Sequence, residues 1–108
     1  MGNPPNLTYP TALVLHALAS GYTYGFDVID ATGLPSGTVY PILRRLEDAG
    51  VLRSRWERET AARDEGRPPR KYYQVTGAGQ TTAREALERF PGAVAALDPA
   101  GAPRPAGA

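Results

Sequence analysis

The chain has no cysteine, which excludes disulfides, a thiolate nucleophile and a cysteine-ligated zinc site. Its single histidine, His16, has no second ligand type beside it and is expected to be structural. Neither a metal nor a cofactor is therefore expected. No apolar run reaches the roughly 18 residues of a membrane helix, so a membrane is not an expected partner. The opening "MGNPPN" lacks a basic region followed by an apolar stretch, so no secretory signal is expected and a cytoplasmic location fits. Net charge is only +1 over 108 residues, so bulk charge does not announce a nucleic-acid binder. No Ser-His-acid or paired-carboxylate constellation is visible, which argues against an enzyme. "VTGAGQTT", residues 75–82, sits where a phosphate loop would, but lacks the lysine of GxxxxGK[ST] and the full GxGxxG. It reads as a strand exit and a helix start.

What is present suggests one domain with a thin core, a size at which pairing often adds stability. Residues 1–6 and the Pro/Gly/Ala-rich stretch 98–108 have little to bury and are expected to be flexible. A first helix should begin with Thr8 as N-cap, tolerate Pro10 in its first turn and stop at Ser20-Gly21. Leu7 can pack back as a staple. A second helix is expected over about 25–31, and a third from Ser36 as N-cap to Ala49, with Gly50 as the stop. "VLRSRWE" and "KYYQVT" read as strands at about 51–57 and 70–76, with "RETAARDEGRPP" as a loop between them. A last helix should start near Thr76 and run through Phe90.

The third helix is the informative one. At 100° per residue, Val39, Ile42, Leu43, Leu46 and Ala49 share an arc of about 120°, the expected core face. The opposite side carries Ser36, Gly37, Tyr40, Pro41, Arg44, Arg45 and Asp48. Acids wait until Glu47 and Asp48. A helix entering the DNA major groove reads bases with its first turns, and small, hydrogen-bonding or arginine side chains suit that task. Ser36, Thr38, Tyr40, Pro41, Arg44 and Arg45 are the candidate DNA contacts. Pro41 removes the hydrogen bond to the Gly37 carbonyl and should open the first turn slightly. Its ring either packs on the nucleic acid or simply delimits an irregular turn. Arg44 could instead pair with Asp48 on a solvated surface.

Residues 53–71 hold seven positive and four negative side chains, a local net of +3. A hairpin there would carry an electropositive tip, unless its charges pair among themselves.

"TYGFDVI", "LPSGTVYPILRRLEDAGVLRSRWE" and "GRPPRKYYQVTGAG" together resemble the PadR family of bacterial winged-helix transcription regulators. The likeness spans about residues 7–80. It implies an α+β, mainly α fold: a winged helix-turn-helix of three helices and a two-stranded wing over 7–77, plus a C-terminal dimerisation helix over 78–97. It also implies a homodimeric repressor that binds double-stranded DNA. The third helix would enter the groove, and Arg67, Arg70 and Lys71 of the wing would meet the flanking backbone. The wing loop here is longer and more acidic than the family pattern, and the C-terminal part is shorter and interrupted by Pro91.

Ala83, Ala86, Leu87, Phe90, Val94 and Leu97 recur at three- and four-residue spacing. One small domain should not easily cover such a stripe, so Ala83, Leu87, Phe90, Val94 and Leu97 are candidate dimer contacts, with an inverted-repeat operator as the corollary. Pro91 should bend this helix near Leu87 rather than end the stripe. The alternative is that residues 83–97 fold back on their own domain. Two other functions remain open: a sensor binding a small aromatic or cationic effector near Trp56 at the dimer interface, and a protein-interaction module that has lost DNA binding.

Overall fold

The structure is a computed structural model that describes residues 7–97, and the flexible ends expected at 1–6 and 98–108 lie outside the described residues. Its elements run α1 (Tyr9–Ala19), α2 (Gly25–Thr32), α3 (Ser36–Asp48), β1 (Leu52–Trp56), α4 (Glu59–Asp64), β2 (Lys71–Val75), α5 (Gly77–Arg89) and α6 (Gly92–Leu97).

Helix α1 is the centre of the core. Thr8 caps it by accepting from the Thr11 amide, and Pro10 sits in the first turn where its missing N–H costs nothing. Seven of its residues are buried, on nearly all sides. Helix α2 ends at Gly33, whose φ of 72° is a left-handed stop suited to glycine. Val28, Val39, Leu43 and Leu46 are among the largest fully buried side chains, and they tie α2 and α3 to α1.

Helix α3 departs from expectation at its start. Pro35, with extended backbone, occupies the cap position, and Ser36 is the first helical residue rather than the cap. The Pro35 carbonyl accepts from the Thr38 and Val39 amides. A proline inside a helix costs about 3 kcal/mol. Four buried apolar residues on this helix contribute roughly 1.5–3 kcal/mol each. Burial wins, and α3 runs unbroken through Pro41. The Gly37 carbonyl that loses its partner lies in an exposed first turn.

β1 and β2 pair antiparallel, with Leu52 opposite Val75 and Trp56 opposite Lys71. Tyr24 adds a bridge to Tyr72 on the outer side of β2. Thr76 caps α5 by accepting from the Gly79 amide and donates to the Gly50 carbonyl. A Cβ on Gly79 would collide with the Val51 carbonyl oxygen, so this glycine serves the close approach of α5 to the residue that leads into β1. The strand-exit, helix-start reading of residues 75–82 is what the structure contains.

Two expectations are corrected. The segment read as a loop between the strands contains α4, with Ala62 buried and Gly66 at φ 70° just past its end. Six residues are too few for periodicity to signal a helix. The C-terminal helix does not bend at Pro91 but breaks. Phe90, turned out of the helical region ahead of the proline that follows (φ −129°, ψ 69°), ends α5, and α6 starts afresh. α6 then folds back on α1, which buries Ala93 and Leu97, while Ala83 and Ala86 are buried under α5. The domain therefore covers most of the stripe itself. Leu87 and Phe90 remain half-buried against the core and Val94 is exposed.

Candidate nucleic-acid interface

The outward face of α3 is built as the wheel predicts. Ser36, Gly37, Tyr40, Pro41, Arg44 and Arg45 are exposed and Thr38 is half-buried. Among the described residues neither Arg44 nor Arg45 makes an ion pair, and the alternative Arg44–Asp48 pairing does not form. Both guanidiniums project from a face without acids up to Glu47. Arginine at such a place offers a bidentate fork to guanine edges or phosphate.

Tyr40 takes its position from a neighbour that the sequence wheel does not show. A Cβ on Gly25 would come within 2.6 Å of the Tyr40 ring. Only the missing side chain lets the ring lie against the start of α2. "TYGFD" therefore places a gap between two aromatics, Tyr24 and Phe26, and α3 fills it. Phe26 is 74% exposed and Trp56, at the end of β1, 66%. An open cleft of about 480 Å³ separates α2 and α3 from the hairpin, with Tyr24, Phe26, Tyr40, Trp56, Arg70 and Lys71 on its walls. No residue of α5 or α6 lines it, so Trp56 is not beside the C-terminal stripe as expected for an effector site at a dimer interface.

The wing cations fare unevenly. Arg67 was expected to face phosphate. Instead its guanidinium donates to both Glu57 carboxylate oxygens at 2.6 and 2.8 Å, and to Glu65 at 3.3 Å. Its side chain is 19% exposed and that of Glu57 13%. Glu57 also accepts from the Arg70 amide and from the Tyr72 hydroxyl. The Arg67 hydrogen bonds hold the Glu57 carboxyl at about 2, far below its ordinary 4.5, and in return push Arg67 further up. The Arg67 amide donates to the Ala62 carbonyl, so the same residue pins α4 to the hairpin. Arg67 is a structural clamp, a role legible only in the alternative that the loop charges pair among themselves.

Arg70 stacks its guanidinium over the Tyr24 ring at 4.2 Å, and Tyr24 meets Tyr72 edge-on at 5.7 Å. The guanidinium has no ion pair among the described residues. Lys71 lies 3.7 Å from Glu47, with its ammonium 5.6 Å from the buried Tyr73 ring. Burial raises the Tyr73 hydroxyl above its ordinary value, so it stays protonated. Arg53 and Arg55 are a further cationic pair. They alternate with Leu52 and Trp56 along β1, share one sheet face with Tyr72 and Gln74, and are exposed. That alternation is visible in the sequence, but the two arginines were not singled out from it.

Among the described residues no group of three or more His, Cys, Asp or Glu side chains is placed to hold a metal ion. No described helix is long and apolar enough to cross a membrane.

Residues 14–85 match the model of a family described as transcriptional regulator PadR-like. α6 lies wholly outside that span. A PadR family transcriptional regulator from Eggerthella lenta is similar over 76% of this chain and 74% of its own, with 28% identity and a TM-score of 0.58. A PadR family regulator from Clostridium difficile shares the fold over 82% and 95% respectively, with 24% identity and a TM-score of 0.66. A MarR family regulator from Silicibacter pomeroyi shares it at 16% identity and a TM-score of 0.60, over 82% of this chain and 56% of its own. No curated protein matches the chain.

Proposed function

The chain belongs to the PadR-like family of transcriptional regulators, and from that premise we propose that it is a homodimeric repressor whose α3 enters the major groove of double-stranded DNA. The observation that carries the reading is the outward face of α3, free of acids before Glu47, on which Arg44 and Arg45 make no ion pair among the described residues. Ser36, Thr38, Tyr40 and Arg44 supply the base-reading groups, Pro41 an uncharged rigid surface, and Arg45 a phosphate contact. Arg70 and Lys71 hold the flanking backbone from the wing, while Arg67 acts only by keeping the wing in shape. A regulator of chromosomal DNA works in the cytoplasm. The family and its structural relatives are transcription regulators and not enzymes.

A second copy is supported by what α6 leaves uncovered. Tyr9 and Val94 are both 41% exposed, and Tyr9 meets Phe90 edge-to-face at 6.1 Å. With half-buried Leu87 these form a small apolar patch across α1, α5 and α6. Ala83 and Leu97 are buried within the chain and hold the patch from beneath rather than touch a partner. A two-fold dimer through this patch prefers an inverted repeat with half-sites about one DNA turn apart or a multiple of it.

Selection of genomic fragments by the purified protein, followed by binding titrations on the winner, tests the DNA reading. A selected inverted repeat bound at least about a thousandfold more tightly than random duplex supports it. Binding no tighter than to random duplex contradicts it. Sedimentation at micromolar concentration tests the dimer: a monomer, or a dimer that Phe90→Asp/Val94→Asp leaves intact, contradicts it.

A further inference from the structure

We infer that the free edge of β1 docks an extended acidic segment of another protein, one with carboxylates at alternate positions, which adds to the wing as a further strand. The inference does not rest on the DNA reading.

Main-chain bonding shows which edge is open. The Thr76 amide donates to the Val51 carbonyl, and the Glu57 amide to the Arg70 carbonyl. Both pairs continue the register in which Leu52 faces Val75 and Trp56 faces Lys71. In an antiparallel ladder, hydrogen-bonded and non-hydrogen-bonded pairs alternate. The odd-numbered residues of β1 therefore spend their amides and carbonyls on β2, and those of Ser54 and Trp56 point the other way. Among the described residues no strand lies on that side. The sheet is β1 and β2 alone, and Tyr24 bridges to the far edge of β2. An edge of this kind is a template for an extended peptide.

Side chains choose the partner. Ser54 donates to Glu47 of α3 and Lys71 lies beside the same carboxylate, so that face of the hairpin meets α3. Arg53 and Arg55 project from the opposite face, exposed, and neither makes an ion pair among the described residues. With Thr23, Tyr72 and Gln74 they line a hollow of about 430 Å³. Glu57, which continues this face past the strand end, is already held by Arg67. On an added antiparallel strand, the residues opposite Arg53 and Arg55 form non-hydrogen-bonded pairs, in which side chains approach most closely. Carboxylates two residues apart would each meet one guanidinium there. Their neighbours fall opposite Ser54 and Trp56, on the face where the Trp56 ring is largely exposed, and a β-branched apolar side chain suits that place.

Other occupants fit less well. A second copy paired through the same edge about Ser54 would set Arg53 against Arg55, and like charges directly opposite are destabilising. The segments of this chain outside the described residues hold one acidic side chain, Asp98, and cannot supply the alternation. A DNA backbone could answer the arginines and the outward amides, but it offers no donor to the outward carbonyls.

Fluorescein-labelled, end-blocked Thr-Val-Glu-Val-Glu-Val-Thr is titrated with the full chain and followed by anisotropy. A Kd between about 10 and 300 μM is expected. Two methylated peptides separate strand addition from charge alone. N-methylation of the valines removes the donors that bond the edge and should weaken binding at least about tenfold. N-methylation of the glutamates touches amides turned to solvent and should weaken it less than about threefold. Lysines in place of the glutamates should abolish binding. Arg53→Ala/Arg55→Ala should weaken the parent peptide at least about tenfold, with circular dichroism checking that the variant is folded. If it does not fold, the methylated pair on the parent chain decides. No binding at about 1 mM chain overturns the site, as does equal binding of the two methylated peptides or of the lysine peptide and its parent. In a second arm, the salt dependence of random-duplex binding is compared for the parent and the double variant. An unchanged slope is expected. A slope flattened by about two units, with peptide binding kept, assigns the arginines to phosphate and overturns the docking. A chain that binds no duplex at all refutes the DNA reading and leaves the peptide result to judge the edge.

Discussion

Helix α3 and the wing carry the same type of side chain toward the same face, yet they hold it differently. On α3, Arg44 and Arg45 make no ion pair among the described residues. On the wing, Arg67 is locked to Glu57 and Glu65, Lys71 leans toward Glu47, and Arg70 rests on Tyr24. The helix is rigid by its buried side, so its outer face is free to meet a ligand. A two-stranded hairpin has too little core to be stiff alone. Its cations are partly used up as its scaffold. A count of positive charges along the sequence treats these two groups as equal, and they are not.

The largest expected effect lies on α3. Arg44→Ala should cost about 1–3 kcal/mol of affinity for a selected site and relax the preference at one position of each half-site. Electrophoretic or anisotropy titrations against a set of single-base variants measure both. Unchanged affinity would mean that freedom from ion pairing is no guide to DNA contact.

Next comes the junction of the two regions. Gly25→Ala puts a Cβ 2.6 Å from the Tyr40 ring and must displace it. Overpacking of this kind typically costs about 1–3 kcal/mol, less here because Tyr40 is 45% exposed and its ring can swing out. Thermal melting should fall slightly, and specific DNA binding should fall more than non-specific binding.

The wing separates into two behaviours. Arg70→Ala and Lys71→Ala should each flatten the slope of log K against log salt by about one unit, with specific and random duplex affected alike. Arg67→Ala should leave the slope unchanged and lower the melting temperature instead. A slope change for Arg67→Ala would erase the distinction between clamp and contact.

The smallest effect is the pH dependence of that clamp. The Glu57 carboxyl titrates near 2 when folded and near 4.5 when free. Its folded value is depressed, so its contribution is complete above about 4.5 and is lost as pH falls from there toward 2. Glu57→Gln should be less stable than the parent at neutral pH, and the difference should shrink through that acid window. Melting curves at pH 7, 4 and 3 show whether the two converge.

Much of the fold was legible because it rests on local signals. Thr8 is a hydroxyl cap, Gly21 and Gly50 follow α1 and α3 at positive φ, and the α3 wheel has one apolar arc. The first-turn assignment missed by one residue because Pro35 supplies the cap through its backbone carbonyl, a role that any residue can fill. Helix α4 was illegible because six residues show no period, and its one buried residue is an alanine. The stripe from Ala83 to Leu97 was legible as apolar but not in its destination. Spacing says which residues share a face, not which surface they meet, and the break at Phe90–Pro91 turns α6 back to α1. The site divided along the same line. The α3 face is a property of one helix and could be read. The Glu57–Arg67 pair and the aromatic cleft join residues from 10 to more than 40 positions apart, and no local pattern reports them.

Amide chemical-shift mapping of the isotope-labelled chain, titrated with its selected duplex, tests the DNA assignment most directly. The largest shifts should fall on residues 36–45 of α3, with a second group at 70–71, while α5 and α6 change little. Shifts concentrated on α5 and α6, with α3 silent, would contradict it.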